Sequence, residues 1–297
     1  MQEIADGVFS EINYYGCNVS CVKTDDGVLL VDNPQNPSDA LHWRSEVEKI
    51  GPIRYQVNTE HHADHIMGNW FFRDATFIAH EGTLERFHET VGDTPEGWLE
   101  RIEPLDPDGV ARARSDGFEF RKPDVLFNDR MTLYLGGREI ELIHRVGHTE
   151  NQAMVYLADA KALLPGDNVV ENWPPLLHSG VTAAWLETLD YIEGMDVNVI
   201  TPGHGEVSDK SLLPVLAQSI KDLVATVQAA IDEGKTKEQA QEMKDYVLKW
   251  DPIVKKAPDF YQVLGGKGIG RIYDVLNPPP EEVKPKKKKK KFVNTGE

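Results

Sequence analysis

The chain has 297 residues, 40% of them hydrophobic, which suits one large domain or a domain with an extension. The formal net charge is −17, and the tail from Asn277 to Glu297, with seven Lys against three Glu, leaves residues 1–276 at −21; a body this acidic argues against nucleic acid as a main partner. No run approaches the length of an apolar membrane span, and the start from Met1 to Gly7 lacks the basic and apolar regions of a secretory signal, so a soluble cytoplasmic protein without a membrane partner is expected.

Val8 to Tyr14, Cys17 to Lys23 and Val28 to Val31 are short β-branched or aromatic runs separated by Gly16 and by Asp25-Asp26-Gly27. They predict an antiparallel meander whose last pair is a hairpin. Cys17 and Cys21, the only cysteines, would share a strand face too far apart to pair, which predicts buried free thiols. Asp32-Asn33-Pro34 ends the third strand, Asn36-Pro37 opens a helix lined by Leu41, Val47 and Ile50, and Gly51 stops it. Ile53 to Val57 then reads as a buried strand.

The stretch that follows, Asn58-Thr59-Glu60-His61-His62-Ala63-Asp64-His65, places three imidazoles and two carboxylates within six residues. On an extended chain Glu60 and His62 project to one side and His61 to the other. A helix over Asp64 to Phe72 would carry Asp64 and His65 on its first turn, facing a different ion from the one Glu60 and His62 face.

Thr76 to Ala79 is the next strand, closed by His80, which is read as a hydrogen-bonded structural histidine. Residues 83–129 are polar and Pro-punctuated, and predict an insertion of short helices and loops. Met131 to Leu135 and Glu139 to Ile143 flank Gly136-Gly137, a hairpin signal. His148, Asp167 and His204 each follow an apolar strand-like run, so distant donors can converge on one sheet edge. Beyond them, Leu213, Leu216, Ile220, Leu223 and Val227 stripe a helix ending near Gly234. A Thr236–Gln239 capping box opens a helix to Trp250, and a third helix spans Asp259 to Leu276. One of these should pack on the sheet; the others would form a lid or a homodimer face. Gly265-Gly266-Lys267-Gly268-Ile269-Gly270 follows no strand and lacks phosphate-loop spacing. The run Lys286 to Lys291 reads as part of a solvated disordered tail.

The loop at 58–65 resembles the metal loop of the metallo-β-lactamase superfamily, whose pattern is Thr-His-x-His-x-Asp-His. Here Glu60 stands where the first His would be. The resemblance covers roughly residues 5–210, through four separated signatures in order. It implies an αββα four-layer α/β sandwich over 1–210, with 211–276 as a C-terminal helical extension and 277–297 as the tail. It implies two divalent ions, with Glu60, His62 and His148 at the first, Asp64, His65 and His204 at the second, and Asp167 bridging. Asp32 would support the loop from behind, the alternative being a simple turn residue. Trp173 and His178, after the bridging Asp, are candidates for touching substrate.

The implied activity is hydrolysis of an ester, lactone, amide or related carbonyl (or phosphoryl) bond of a small molecule, with a metal-bound hydroxide as attacking group and Asp64 moving the proton. If Glu60 ligates, a pair of divalent ions has three carboxylates around it, the net site charge falls from +2 to +1, and the harder donor set shifts preference from zinc, the default ion, toward iron or manganese. If Glu60 turns outward, the first site is weak or empty. Two other functions stay open: a diiron oxygen- or nitric-oxide-activating oxidoreductase, and a non-catalytic metal-binding or interaction protein.

Overall fold

Alternation along the central strands divides the molecule into layers. The computed structural model describes residues 1–91, 94–250 and 257–278, so the Lys-rich run lies outside the described residues. In β4 (Gly27–Val31), Val28 and Leu30 pack outward under helices while Leu29 and Val31 pack inward against a second sheet, as the period-two geometry of a strand requires.

The first sheet runs β1 (Gln2–Ala5), β2 (Val8–Glu11), β3 (Val19–Thr24), β4, β5 (Ile53–Val57), β6 (Thr76–His80) and β7 (Val125–Phe127) in spatial order. β1 to β4 pair antiparallel and β4 to β7 parallel. The second sheet is ordered β12 (Val199–Ile200), β11 (Ala162–Leu164), β10 (Ala153–Leu157), β9 (Arg138–His144) and β8 (Arg130–Leu135). Inner faces meet in an aliphatic layer that includes Val22, Leu29, Val57 and Ile78 from one sheet and Ile140, Leu142, Val155 and Leu164 from the other.

Helices cover both outer faces. On the first sheet lie α1 (Pro37–Val47), the short α2 (Ala63–Ile66), and four helices between β6 and β7: α3 (Glu81–Glu85), α4 (Phe87–Val91), α5 (Pro95–Ile102) and α6 (Pro107–Ser115). On the second lie α7 (Thr182–Glu193), α8 (Leu212–Asp232), α9 (Lys237–Gln241) and α10 (Pro258–Leu276). This is the four-layer αββα sandwich. Cys17 and Cys21 are buried free thiols in the first outer layer. No described helix is long and apolar enough to cross a membrane.

Turn chemistry holds where it was expected. Thr24 pairs with Gly27 across Asp25-Asp26, and Leu135 pairs with Arg138 across Gly136 (φ +48) and Gly137 (φ +80). Two successive positive φ angles are what a two-residue hairpin with the strands' own twist needs.

Three local expectations need correction. The stretch after Asp64 is helical only to Ile66 and then tightens into a 3-10 run, Met67–Phe72, in which a Cβ at Gly68 would collide with the Pro34 carbonyl. Residues 83–129 are not all helix and loop: Val125–Phe127 adds an edge strand, too short to show alternation, beginning after Asp124, whose carboxylate accepts from Phe77 N at 2.8 Å. The capping box at Thr236 opens only a five-residue helix, and Glu242–Lys249 continues as a 3-10 run.

The glycine run 265–270 lies inside α10, where glycines are costly by up to about 1 kcal/mol each unless something must come close. It does. A Cβ at Gly265 would sit 2.8 Å from Val247 Cγ1, and one at Gly268 would sit 3.3 Å from the Leu177 backbone. Arg271 donates through Nε to Gly180 O at 2.6 Å, so α10 clamps the segment from Leu177 to Gly180.

Candidate metal centre

All the candidate donors sit at strand ends or in the loops between them, at one rim of the sandwich. The loop after β5 carries Glu60, His62, Asp64 and His65, the β9–β10 loop His148, the turn after β11 Asp167, and the turn after β12 His204. A parallel sheet opens such a crevice at its carboxyl ends.

Asp32, at the end of β4 with φ +57, anchors the loop from behind. Its carboxylate accepts from Thr59 N (2.8 Å), Thr59 Oγ1 (2.7 Å) and His65 Nδ1 (2.9 Å). With Nδ1 committed to Asp32, His65 presents Nε2 to the crevice, the usual way a carboxylate orients a ligating imidazole. The turn-residue alternative therefore gives way to the supporting arrangement. Asn168 does similar work for the other loop: its Oδ1 accepts from His148 N at 3.0 Å and its Nδ2 donates to Arg145 O at 2.8 Å. At Gly203 a Cβ would collide with Asp167 Oδ1, so only glycine lets the two turns approach.

The donors fall into two groups. Ligand atoms of Glu60, His62 and His148 lie within 4.8 Å of one another, as do those of Asp64, His65 and His204. Asp167 lies between the groups: Oδ1 is 3.4 Å from His65 Nε2, while Oδ2 is 3.3 Å from His204 Nε2 and 3.6 Å from His148 Nε2. His204 Nε2 is also 3.3 Å from Asp64 Oδ2. These spacings exceed good hydrogen bonds and match donors sharing an ion, since ligands about 2.1 Å from a tetrahedral metal stand roughly 3.4 Å apart.

Burial supports the same conclusion. Glu60 is fully buried and turned inward, and its Oε1, together with His65 Nε2 and Asp167 Oδ1, has no hydrogen-bond partner. Three orphaned, buried, mutually facing polar atoms are an expensive arrangement that divalent cations would satisfy. Cys17, Asp32 and His65 also cluster; burial pushes the Cys17 thiol well up, and its Sγ donates to Asp64 O at 3.0 Å.

Charge within the cluster is balanced. Burial would raise the Glu60 carboxyl, yet the imidazoles of His62, His148 and His65 hold it below the ordinary range; Asp64 and Asp167 are held low in the same way, against burial, by His65 and His204. Conversely, burial would lower both His204 and His65, but Asp167 and Asp64 raise His204 to about 10, and the carboxylates of Asp32, Asp64 and Glu60 raise His65 well above its usual value. Both imidazoles are thus protonated at neutral pH without an ion and must shed that proton to ligate. Loading with Co(II) should release protons, and apparent affinity should rise with pH until about 10, above which His204 is already neutral. Calorimetric titration in buffers of different ionisation enthalpy reads this directly; a heat independent of buffer would refute it.

Of the remaining aromatic residues, Trp173 and His178 line the crevice. Trp173 stacks on His204 (centroids 4.2 Å, 16°) and His178 stacks on His62 (4.9 Å, 26°), one aromatic residue against each group. His61 points away and bonds Asn151 Oδ1 at 2.7 Å. His80 accepts from Gly82 N at 3.1 Å and stacks on His144, outside the donor groups. Ser179, whose Oγ is 3.2 Å from His62 Nε2, and Tyr261, edge-on to Trp173 at 5.7 Å, are not foreseen from the sequence; a lone serine and a helical tyrosine carry no spacing signal.

Comparison with known proteins agrees. A family model described as "Metallo-beta-lactamase superfamily" matches residues 13–204, which contain every donor. The linear primary-alkylsulfatase of Pseudomonas sp. (strain ATCC 19151) is 20% identical over 236 residues, 69% of this chain and 45% of that protein, so the chain spans under half the length of this curated relative. Among solved structures, a metallo-beta-lactamase family protein from Thermus thermophilus is similar with TM-score 0.67 at 19% identity, covering 92% of this chain and 95% of that one. A metallo-beta-lactamase from Pontibacter korlensis gives TM-score 0.56 at 20% identity, covering 74% and 98%. At these identities the structures speak to the fold alone.

Proposed function

The chain belongs to the metallo-beta-lactamase superfamily, and from that premise we propose that it is a metal-dependent hydrolase acting on an ester, lactone, amide or related bond of a small molecule. The observation that carries this reading is the convergence of seven donors, two groups joined by Asp167, at ion-sharing distances. Two divalent ions held there would supply Lewis-acid polarisation of the scissile group and acidify a water.

The chain's own residues do the rest. Asp64, kept ionised by His65 and His204, has its side chain partly open to the crevice and can take a proton from the attacking water and pass it to the leaving group. His178 is held well below its ordinary pKa by burial and by His62 and His148, so it meets substrate as a neutral imidazole. Its Nδ1 is buried and makes no hydrogen bond within the protein, and a small turn of the ring would free it for one to substrate. His178→Ala should therefore lower kcat/KM by about tenfold, the worth of one such bond, with metal content unchanged; a loss of bound metal would instead make His178 a support of the ion site. Trp173 offers an apolar wall beside His204.

The test is metal analysis of protein purified without added metal, followed by panels of carboxylic esters, lactones, β-lactams, phosphodiesters and, because the matched alkylsulfatase acts by name on sulfate esters, alkyl sulfates. Zinc is the default ion; the third carboxylate, Glu60, favours iron or manganese. Turnover that disappears with chelation supports hydrolysis. Two irons with an oxygen-dependent colour change and no turnover would favour the diiron oxidoreductase reading.

A further inference from the structure

Glu60 is placed differently from a simple substitute for one imidazole. Its Oε2 lies against His62 Nδ1 in the first group. Its Oε1 is 3.8 Å from His148 Nε2, also in the first group, and 3.7 Å from His65 Nε2, in the second. Glu60 accordingly forms a second possible ligand set with His65 and Asp167, in addition to the one with His62 and His148. Asp167 has the same property, with one oxygen toward His65 and the other toward His204 and His148. Asp64 does not: its Oδ2 faces only His65 (3.9 Å) and His204 (3.3 Å), both in the second group.

We propose that Glu60 is a bridging ligand, giving each of the two ions one carboxylate oxygen, so that the pair is held by two bridges, Glu60 and Asp167. This rests on the two-ion reading above and adds to it. An imidazole at position 60 would spend its one free nitrogen on a single ion, whereas a carboxylate has two oxygens about 2.2 Å apart and can serve both. Both Glu60 oxygens are buried without a hydrogen-bond partner, and the approach of Oε1 to His65 Nε2 as well as His148 Nε2 is what a ligand of the first ion alone leaves unexplained and a bridge accounts for. Each ion then lowers the cost of fixing Glu60 for the other, so the two bind cooperatively.

A double-variant cycle on the full chain tests this, reading Co(II) affinity by chelator competition and stoichiometry by elemental analysis, with circular dichroism to confirm folding. His62→Ala should leave one Co(II) per chain, in the second group. Adding Glu60→Gln to that variant should weaken the remaining ion by about tenfold or more if Glu60 reaches it. An unchanged affinity overturns the bridge and leaves Glu60 a ligand of the first ion only. If His62→Ala still binds two Co(II), or none, the assignment of groups fails instead, which separates the two readings. As a second measure, the wild-type protein loaded with two Mn(II) should show an exchange-coupled resonance spectrum, and Glu60→His should keep two ions with weaker coupling; equal coupling in both would overturn the bridge.

Discussion

Asp167→Asn is expected to lower kcat/KM by at least about a thousandfold, roughly 4 kcal/mol of transition-state stabilisation. Asp167 has two oxygens lying 3.3 to 3.6 Å from three imidazoles at once, those of His65, His204 and His148. The amide has the same shape but no charge, and it presents an NH2 group where one oxygen must ligate. Both donor groups lose a charged neighbour in one substitution, and the site loses a third of its carboxylate charge. Metal content should fall in parallel, so the measurements are steady-state kinetics on whichever substrate the wild type turns over and elemental analysis of the same samples. Full activity with two ions bound would remove Asp167 from the centre.

Asp32→Ala should be the most damaging change to stability, by about 3–5 kcal/mol in denaturant unfolding of the metal-free protein, because it strips one partner from a buried network. Thr59 N, Thr59 Oγ1 and His65 Nδ1 would all be left without their acceptor in a region closed to water. Asp also tolerates the left-handed backbone at this position better than Ala does. Because His65 would no longer be held with Nε2 forward, metal affinity should drop by about 10- to 100-fold as well. A loss below about 1 kcal/mol would show that the network relaxes onto other acceptors.

Much of this was legible in the sequence, and the reasons are local. The loop 58–65 announced itself by donor density. Hairpins at Asp25-Asp26 and Gly136-Gly137 followed from turn chemistry, and the buried stripe of α8, Leu213, Leu216, Ile220, Leu223 and Val227, from helical period. What stayed hidden depends on contacts between distant segments. Spacing put Glu60 beside His62, but nothing local says that its Oε1 also comes within 3.7 Å of His65. β7 is three residues long and exists because β6 offers an edge to pair with. The 3-10 run before Trp250 and the glycines of α10 make sense only together, since one packs on the other.

The clamp of α10 on residues 177–180 divides the work of the site in an unexpected way. Every candidate donor is encoded between positions 60 and 204, while the Arg271 hydrogen bond to the segment bearing His178, and the Tyr261 ring against Trp173, come from a helix encoded after position 257. On the reading that Trp173 and His178 meet substrate, replacing Tyr261 should re-tailor which molecules are admitted while the donors of both groups stay in place.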